Sequence, residues 1–227
     1  MKRVLFAIYA HPDDESFGPS GTLALLAQAG WEVHIICVTD GSNNDTTLRT
    51  KNLREKELLA ASALIGAAST TTLGFSDGCL CNQNYAAIAS SIKSTIKQYL
   101  HQATEPPESV SFMTFERHGL TGHLDHIAVS MIVTHLYTSM PKWLPHHESG
   151  WLKYFCFCDE QKAEDRSYFV YSPRGYREED VDETVSVHDV IELKKKIILT
   201  HASQKDAKKM IALGDHLLSR EHFIHYK

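Results

Sequence analysis

The sequence predicts one α/β domain over residues 1–227, built on a mostly parallel sheet flanked by helices. The chain of 227 residues lies within the reach of a single α/β core. Short continuous apolar runs recur along it, the pattern of strands buried on both faces. Between these runs lie segments of helical spacing, and repeated β then α is the signature of a parallel sheet covered on both sides.

Residues 4–9 form the first apolar run, and residues 21–29 follow it with small and apolar residues at helical spacing. Residues 33–38 give a second buried strand. Residues 52–65 give a helix with Leu53, Leu58, Leu59, Ala61 and Leu64 available for packing, stopped at Gly66. The alternation continues with a strand at 70–73, a helix at 85–100, a strand at 110–115 and a helix at 124–136. Later, residues 154–158 and 168–171 read as strands, and 187–201 and 205–218 as closing helices. The loop at 141–150 is long enough to reach over a site, and residues 43–48 and 146–150 are expected to shape specificity.

Composition excludes several classes. Hydrophobic residues at 43% and charged residues at 22% describe an ordinary soluble globular chain. A formal charge of -5 argues against nucleic-acid binding, which draws its affinity from clustered Lys and Arg. The run Lys194, Lys195, Lys196 reads as the solvated edge of a helix. Met1, Lys2 and Arg3 precede an apolar stretch, but it meets His11 and three acids too soon for a signal peptide. No stretch approaches the roughly 20 apolar residues of a membrane helix, so no membrane partner is expected. Five cysteines without an export signal point to free thiols and a cytoplasmic location. Cys79-x-Cys81 and Cys156-x-Cys158 are spaced too tightly for the usual structural zinc site.

Two clusters carry the chemistry. His11-Pro12-Asp13-Asp14-Glu15 falls where the first strand ends, the place of the glycines in a dinucleotide-binding turn. Three adjacent acids repel a pyrophosphate and attract a divalent metal instead. Gly122-His123-Leu124-Asp125-His126 follows the strand at 110–115 and opens a helix, so it lies at the same sheet edge. His123 and His126, three apart, share a helical face, while Asp125 is placed to turn back and orient an imidazole. Nitrogen and carboxylate ligands around an open position match catalytic zinc, usually three protein ligands plus water.

These residues resemble the LmbE-like, PIG-L-type family of zinc-dependent N-deacetylases, whose marks are A-H-P-D-D-E and a later G-H-x-D-H. Both stand here, at residues 10–15 and 122–126. The likeness extends to Thr39-Asp40-Gly41, to Arg54-x-x-Glu57, to residues 74–78 and to His201-Ala202-Ser203-Gln204. It implies a Rossmann-like fold with the site at the C-terminal ends of the strands. It implies metal ligands His11, Asp14 and His126, a catalytic base Asp13, an oxyanion-stabilising or acid His123 with Asp125 behind it, and substrate-contacting Arg54. The implied cofactor is one zinc per chain, with ferrous iron able to occupy the same ligands. The implied partner is a small acylated amine, foremost an N-acetylated sugar, and the implied assembly a homo-trimer or homo-hexamer. Zinc-activated water, proton transfer to Asp13 and a protonated His123 at the oxyanion together give deacylation.

Other readings compete. The same residues permit an amidase or esterase acting on a thiol conjugate or an antibiotic-like acyl amine. A metal-dependent carbohydrate-binding protein needs the ligands but not Asp13, so the presence of Asp13 and His123 disfavours it. Asp40 reads equally as a polar wall of the pocket or a turn former before Gly41, and His201 and Gln204 as pocket residues or helix caps.

Overall fold

The computed structural model describes residues 2–42, 47–161 and 171–227. Seven strands form one sheet: β1 (Arg3–Tyr9), β2 (Glu32–Thr39), β3 (Ser69–Phe75), β4 (Ser109–Phe115), β5 (Ser149–Cys156), β6 (Glu183–Ser186) and β7 (Arg220–His225). Their order is β3-β2-β1-β4-β5-β7-β6. The first five run parallel, and β7 turns antiparallel to both β5 and β6. The helices are α1 (Asp14–Phe17), α2 (Ser20–Gln28), α3 (Leu48–Ile65), α4 (Tyr85–Gln102), α5 (Gly119–Gly122), α6 (Leu124–Thr138), α7 (Met140–Trp143), α8 (Ile191–Thr200), α9 (Lys205–Ala212) and α10 (Asp215–Leu218).

The centre of the sheet is dry. Every residue of β1 from Val4 to Tyr9 is buried, so both faces are covered, as the unbroken apolar run requires. α2, α3 and α8 pack against one another, as do α4 and α6. α3 ends on Gly66 at φ 82°, the left-handed stop that glycine adopts without strain. Its packing face is not the leucine-rich one that the sequence offers. Leu58, Ala61 and Ile65 are buried in line with Arg54 and Glu57, whereas Leu53, Leu59 and Leu64 are exposed. A helix presents positions three and four apart to one neighbour, so the two charged residues travel inward with the apolar ones.

The edge formed by β5, β7 and β6 departs from the sequence expectation. The closing helices are shorter than the pattern predicts: α8 begins at Ile191, and Gly214 at φ 82° breaks the last one into α9 and α10. β6 and β7 follow sequences too polar to read as strands. Glu221 of β7 is fully buried and accepts the N–H groups of Gly21 (2.9 Å) and Thr22 (2.7 Å) at the start of α2. Lys194, expected at a solvated helix edge, is buried instead and donates to Glu221 at 2.6 Å. This pair fastens α8 and β7 to the N-terminus of α2, where negative charge also meets the helix dipole.

The 141–150 loop stands away from the site. It runs from within α7 to the start of β5, and a parallel crossover returns the chain to the N-terminal edge of the sheet. Of the other loop expected to set specificity, residues 43–46 lie outside the described residues, as do 168–170 of the strand expected at 168–171. All five cysteines are free. Among the described residues no helix is long and apolar enough to cross a membrane.

Candidate metal centre

The two clusters meet at the C-terminal ends of β1 and β4, the edge where open parallel sheets place their sites. His11 follows β1, and Asp14 opens α1. Asp14 folds back, so its Oδ2 accepts the backbone N–H of His11 at 2.6 Å. His123 is the N-cap of α6, and His126 lies one turn further, stacked on Phe115 at 4.1 Å between ring centres. His11 Nδ1 and His126 Nε2 are 3.0 Å apart. Asp14 Oδ2 is 3.4 Å from the first nitrogen and its Oδ1 3.2 Å from the second.

The protons of these rings decide what the cluster can hold. His126 Nδ1 faces the Gly119 carbonyl at 3.1 Å, which only accepts, so the proton sits on Nδ1 and Nε2 offers a lone pair. His11 Nε2 faces carboxylate oxygens of Asp77 at 3.2 Å and Asp125 at 3.4 Å, which leaves a lone pair on Nδ1. Two imidazole nitrogens and a carboxylate thus converge in an arrangement able to hold a cation. Burial alone would lower the His11 pKa, but hydrogen bonds to Asp125 and Asp14 raise it well above the usual histidine range. A bound proton there does what a metal ion would do. Burial would raise Asp14, yet His126 and His11 hold it well below the ordinary carboxylate range. Two nitrogens and one carboxylate oxygen suit zinc or ferrous iron.

Asp125 differs in role from the sequence expectation. Its carboxylate does not stand behind His123. It accepts Gly78 N–H at 2.7 Å and Leu80 N–H at 3.1 Å, and faces His11 Nε2. Only its backbone reaches His123, whose Nδ1 accepts the Asp125 N–H at 3.2 Å. That bond leaves the proton of the neutral His123 ring on Nε2. Burial and the neighbouring His126 and His11 push the His123 pKa down to about 4. Side-chain nitrogens of His11, His123 and His126 nonetheless lie within 4.8 Å of one another.

Asp13 and Arg54 form the second half of the site. Arg54 is buried and donates from Nη2 to Asp13 Oδ2 at 3.0 Å and to the Pro12 carbonyl at 2.8 Å. Burial raises the Asp13 pKa to about 7, against the opposing charge of Arg54 and with the help of Asp14. Arg54 therefore acts first as a bracket on Asp13 and the 12–13 turn, although it also borders the cavity.

The cavity, about 360 Å³, is lined by His11, Asp13, Asp14, His123 and His126, with Arg54, Asp77 and Gln204 also on its wall. Phe17, Leu120, Phe157 and Met210 supply its apolar side. Asp77 escaped the sequence reasoning, although residues 74–78 belong to the resemblance; a single acid after a strand has no distinguishing pattern. His201 lies beneath α1, fully buried against Glu15 (3.1 Å) and Ser16 (3.0 Å), and Gln204 reaches the cavity. Asp40 is a turn former: it accepts Ser42 N–H at 3.0 Å and pairs with Lys51 at 2.6 Å. A smaller cavity of about 180 Å³, bordered by Cys158, Tyr176 and Arg220, holds none of these ligands.

The family model described as PIG-L, GlcNAc-PI de-N-acetylase, matches residues 6–137. A Bacillus cereus protein named probable N-acetyl-alpha-D-glucosaminyl L-malate deacetylase 2 is 29% identical over 153 residues, 63% of this chain. The match spans 64% of that relative's own length. Among solved structures, an N,N'-diacetylchitobiose deacetylase from Pyrococcus horikoshii superposes with a TM-score of 0.71 at 18% identity, covering 99% of this chain and 84% of that one. The 4-carboxy-2-hydroxymuconate hydratase GalB from Pseudomonas putida superposes at 0.69 with 15% identity, covering 99% and 96%. A deacetylase and a hydratase thus share the fold, so the fold alone does not select the reaction.

Proposed function

The chain belongs to the PIG-L family of GlcNAc-PI de-N-acetylases, and from that premise we propose that it is a zinc-dependent hydrolase. Its substrate in this reading is an N-acylated, foremost N-acetylated, amino sugar or glycoconjugate. The observation that carries the reading is the meeting, in one cavity, of a two-imidazole, one-carboxylate ligand set with Asp13 and His123. A binding protein needs only the first.

We assign the ion to His11, Asp14 and His126. Zinc held there would supply a Lewis acid that polarises the acyl carbonyl and lowers the pKa of water. Asp13, with a pKa of about 7, is matched to accepting the proton of the attacking water near neutral pH. The same carboxyl then returns a proton to the departing amine. His123 donates from Nε2 to the acyl oxygen as that oxygen gains charge, which favours the transition state over the ground state. Arg54 keeps Asp13 aimed into the cavity, and Asp125 keeps His11 aimed at the ion.

The test is the release of the carboxylic acid, with free amine measured where the bond is an amide, from a panel holding N-acetylglucosaminides, an acylated thiol conjugate, an antibiotic-like acyl amine and matched O-acetyl esters. The reading predicts release from the N-acetyl sugars above the others. Release only from the thiol conjugate or the acyl amine would move the substrate outside the amino sugars. Release from none, with sugar binding intact, would favour a carbohydrate-binding role.

A further inference from the structure

His11 is backed by the Asp125 carboxylate, whereas His126 is backed only by a backbone carbonyl, that of Gly119. That carbonyl belongs to the peptide joining Gly119 to Leu120, and the N–H of the same peptide donates to Glu116 Oε1 at 2.7 Å. A peptide unit is rigid and planar, so its two ends move together. Glu116 sits just past β4, is buried, and plays no part in the reaction described above. Its other oxygen accepts the His118 N–H at 2.7 Å and the Tyr176 hydroxyl at 3.2 Å, and its own carbonyl accepts the Gly119 N–H at 2.9 Å.

We propose that Glu116 is a positioning residue for the metal centre, the anionic end of a carboxylate–peptide–imidazole relay that orients His126. The relay rests on the metal assignment made above, and does for His126 what Asp125 does for His11. A carboxylate on the N–H polarises the peptide, so the Gly119 carbonyl becomes a stronger acceptor for the His126 Nδ1 proton. A firmer hold on that proton fixes the tautomer and makes Nε2 the better ligand. The turn bears a cost that fits the role. Leu120 sits at φ 62° and ψ −57°, a left-handed conformation that a side chain rarely adopts. Gly119 has φ 66°, and a Cβ there would press on the Cβ of His126 at 2.9 Å. Such backbone persists only when its surroundings hold it, and the Glu116 carboxylate is the group that brackets it on both sides.

The experiment compares wild type, Glu116→Gln and Glu116→Ala as full chains. Zinc affinity is read by chelator competition, the cobalt-substituted protein by its visible absorption, and the metal-free protein by thermal melting and by exchange of the His126 Nδ1 proton in nitrogen-resolved NMR. An amide keeps one acceptor and loses the other, so Glu116→Gln should bind zinc about tenfold more weakly and Glu116→Ala on the order of a hundredfold more weakly. Both should shift the cobalt spectrum, and the Nδ1 proton should exchange faster in the same order. Wild-type affinity and spectrum in a folded Glu116→Gln would overturn the relay. Failure of wild type to bind any divalent ion would overturn the metal assignment, while the Nδ1 exchange would still decide the relay. An unaltered Nδ1 proton in both variants would reject it.

Discussion

Replacing Asp125 by Asn separates two accounts of this residue by where its effect falls. Asp125 Oδ2 takes Gly78 N–H at 2.7 Å and faces His11 Nε2 at 3.4 Å, and Oδ1 takes Leu80 N–H at 3.1 Å. An amide can keep its oxygen on the Gly78 and His11 side, but its NH2 then faces the Leu80 N–H, and His11 loses a charged acceptor. Removing one charge-assisted hydrogen bond costs about 1.5–3 kcal/mol. Losing a carboxylate behind a metal-bound histidine costs about 10–100-fold in metal affinity, or about 1.4–2.8 kcal/mol. The two magnitudes agree, so zinc affinity should fall by about one to two orders of magnitude in Asp125→Asn. Chelator competition near pH 7.5 measures it, with a thermal melt to confirm folding. Burial opposes ionisation of Asp125, but His11 and the two backbone N–H groups outweigh it and hold the carboxyl below its ordinary value. Its contribution is therefore complete above the ordinary carboxylate pKa and is lost as pH falls through the lower folded value. Unchanged zinc affinity with a large loss of kcat would refute this reasoning and return Asp125 to an action on His123.

Three further outcomes follow from the same geometry. Asp13→Asn should retain zinc and lose about a hundredfold to ten-thousandfold in turnover; loss of metal instead would mean that Asp13 and Asp14 exchange roles. Because the Asp13 pKa is raised to about 7, its stabilising effect is full below the unfolded carboxylate pKa and is lost as pH rises through 7. The metal-free Asp13→Asn variant should accordingly melt above wild type at pH 8 and show little difference at pH 5, read by calorimetry. His123→Ala should keep zinc and lower kcat much more than it changes KM; zinc lost in proportion to activity would make His123 a ligand. Lys194→Met strips the buried partner from Glu221 and should cost about 3–5 kcal/mol in denaturant unfolding. Adding Glu221→Gln should recover part of that loss.

The parts of the molecule legible in the sequence are those whose signals are local. β1 carries an unbroken apolar run and β2 and β4 carry mostly apolar ones, because both faces are buried, and the ends of β1 and β4 placed the two clusters at one edge. α3 was legible as a helix but not as to its inward face, since Arg54 and Glu57 are satisfied by distant partners: Asp13 for one, Ser203 for the other. β7 was hidden for the same reason. Its Glu221 looks like a surface acid until Gly21, Thr22 and Lys194 are brought to it across the fold. At the site, spacing showed that His123 and His126 share a turn, but Asp125, two residues after the one and one before the other, leans toward neither; the loop carrying Gly78 and Leu80 decides its direction. Glu116 and Asp77 are single acids after strands, and nothing in the local sequence distinguishes them from caps.

Release of an amine by this chain is proposed to need an ion held by His11, Asp14 and His126. Metal-stripped protein titrated with zinc, with bound metal and free amine from an N-acetylglucosaminide measured on the same samples, tests it most directly. Amine release should rise linearly with bound zinc to about one equivalent per chain, with no such rise in His126→Ala. Full release from the stripped protein, or zinc-dependent release that survives in a His11→Ala, His126→Ala double variant, would contradict it.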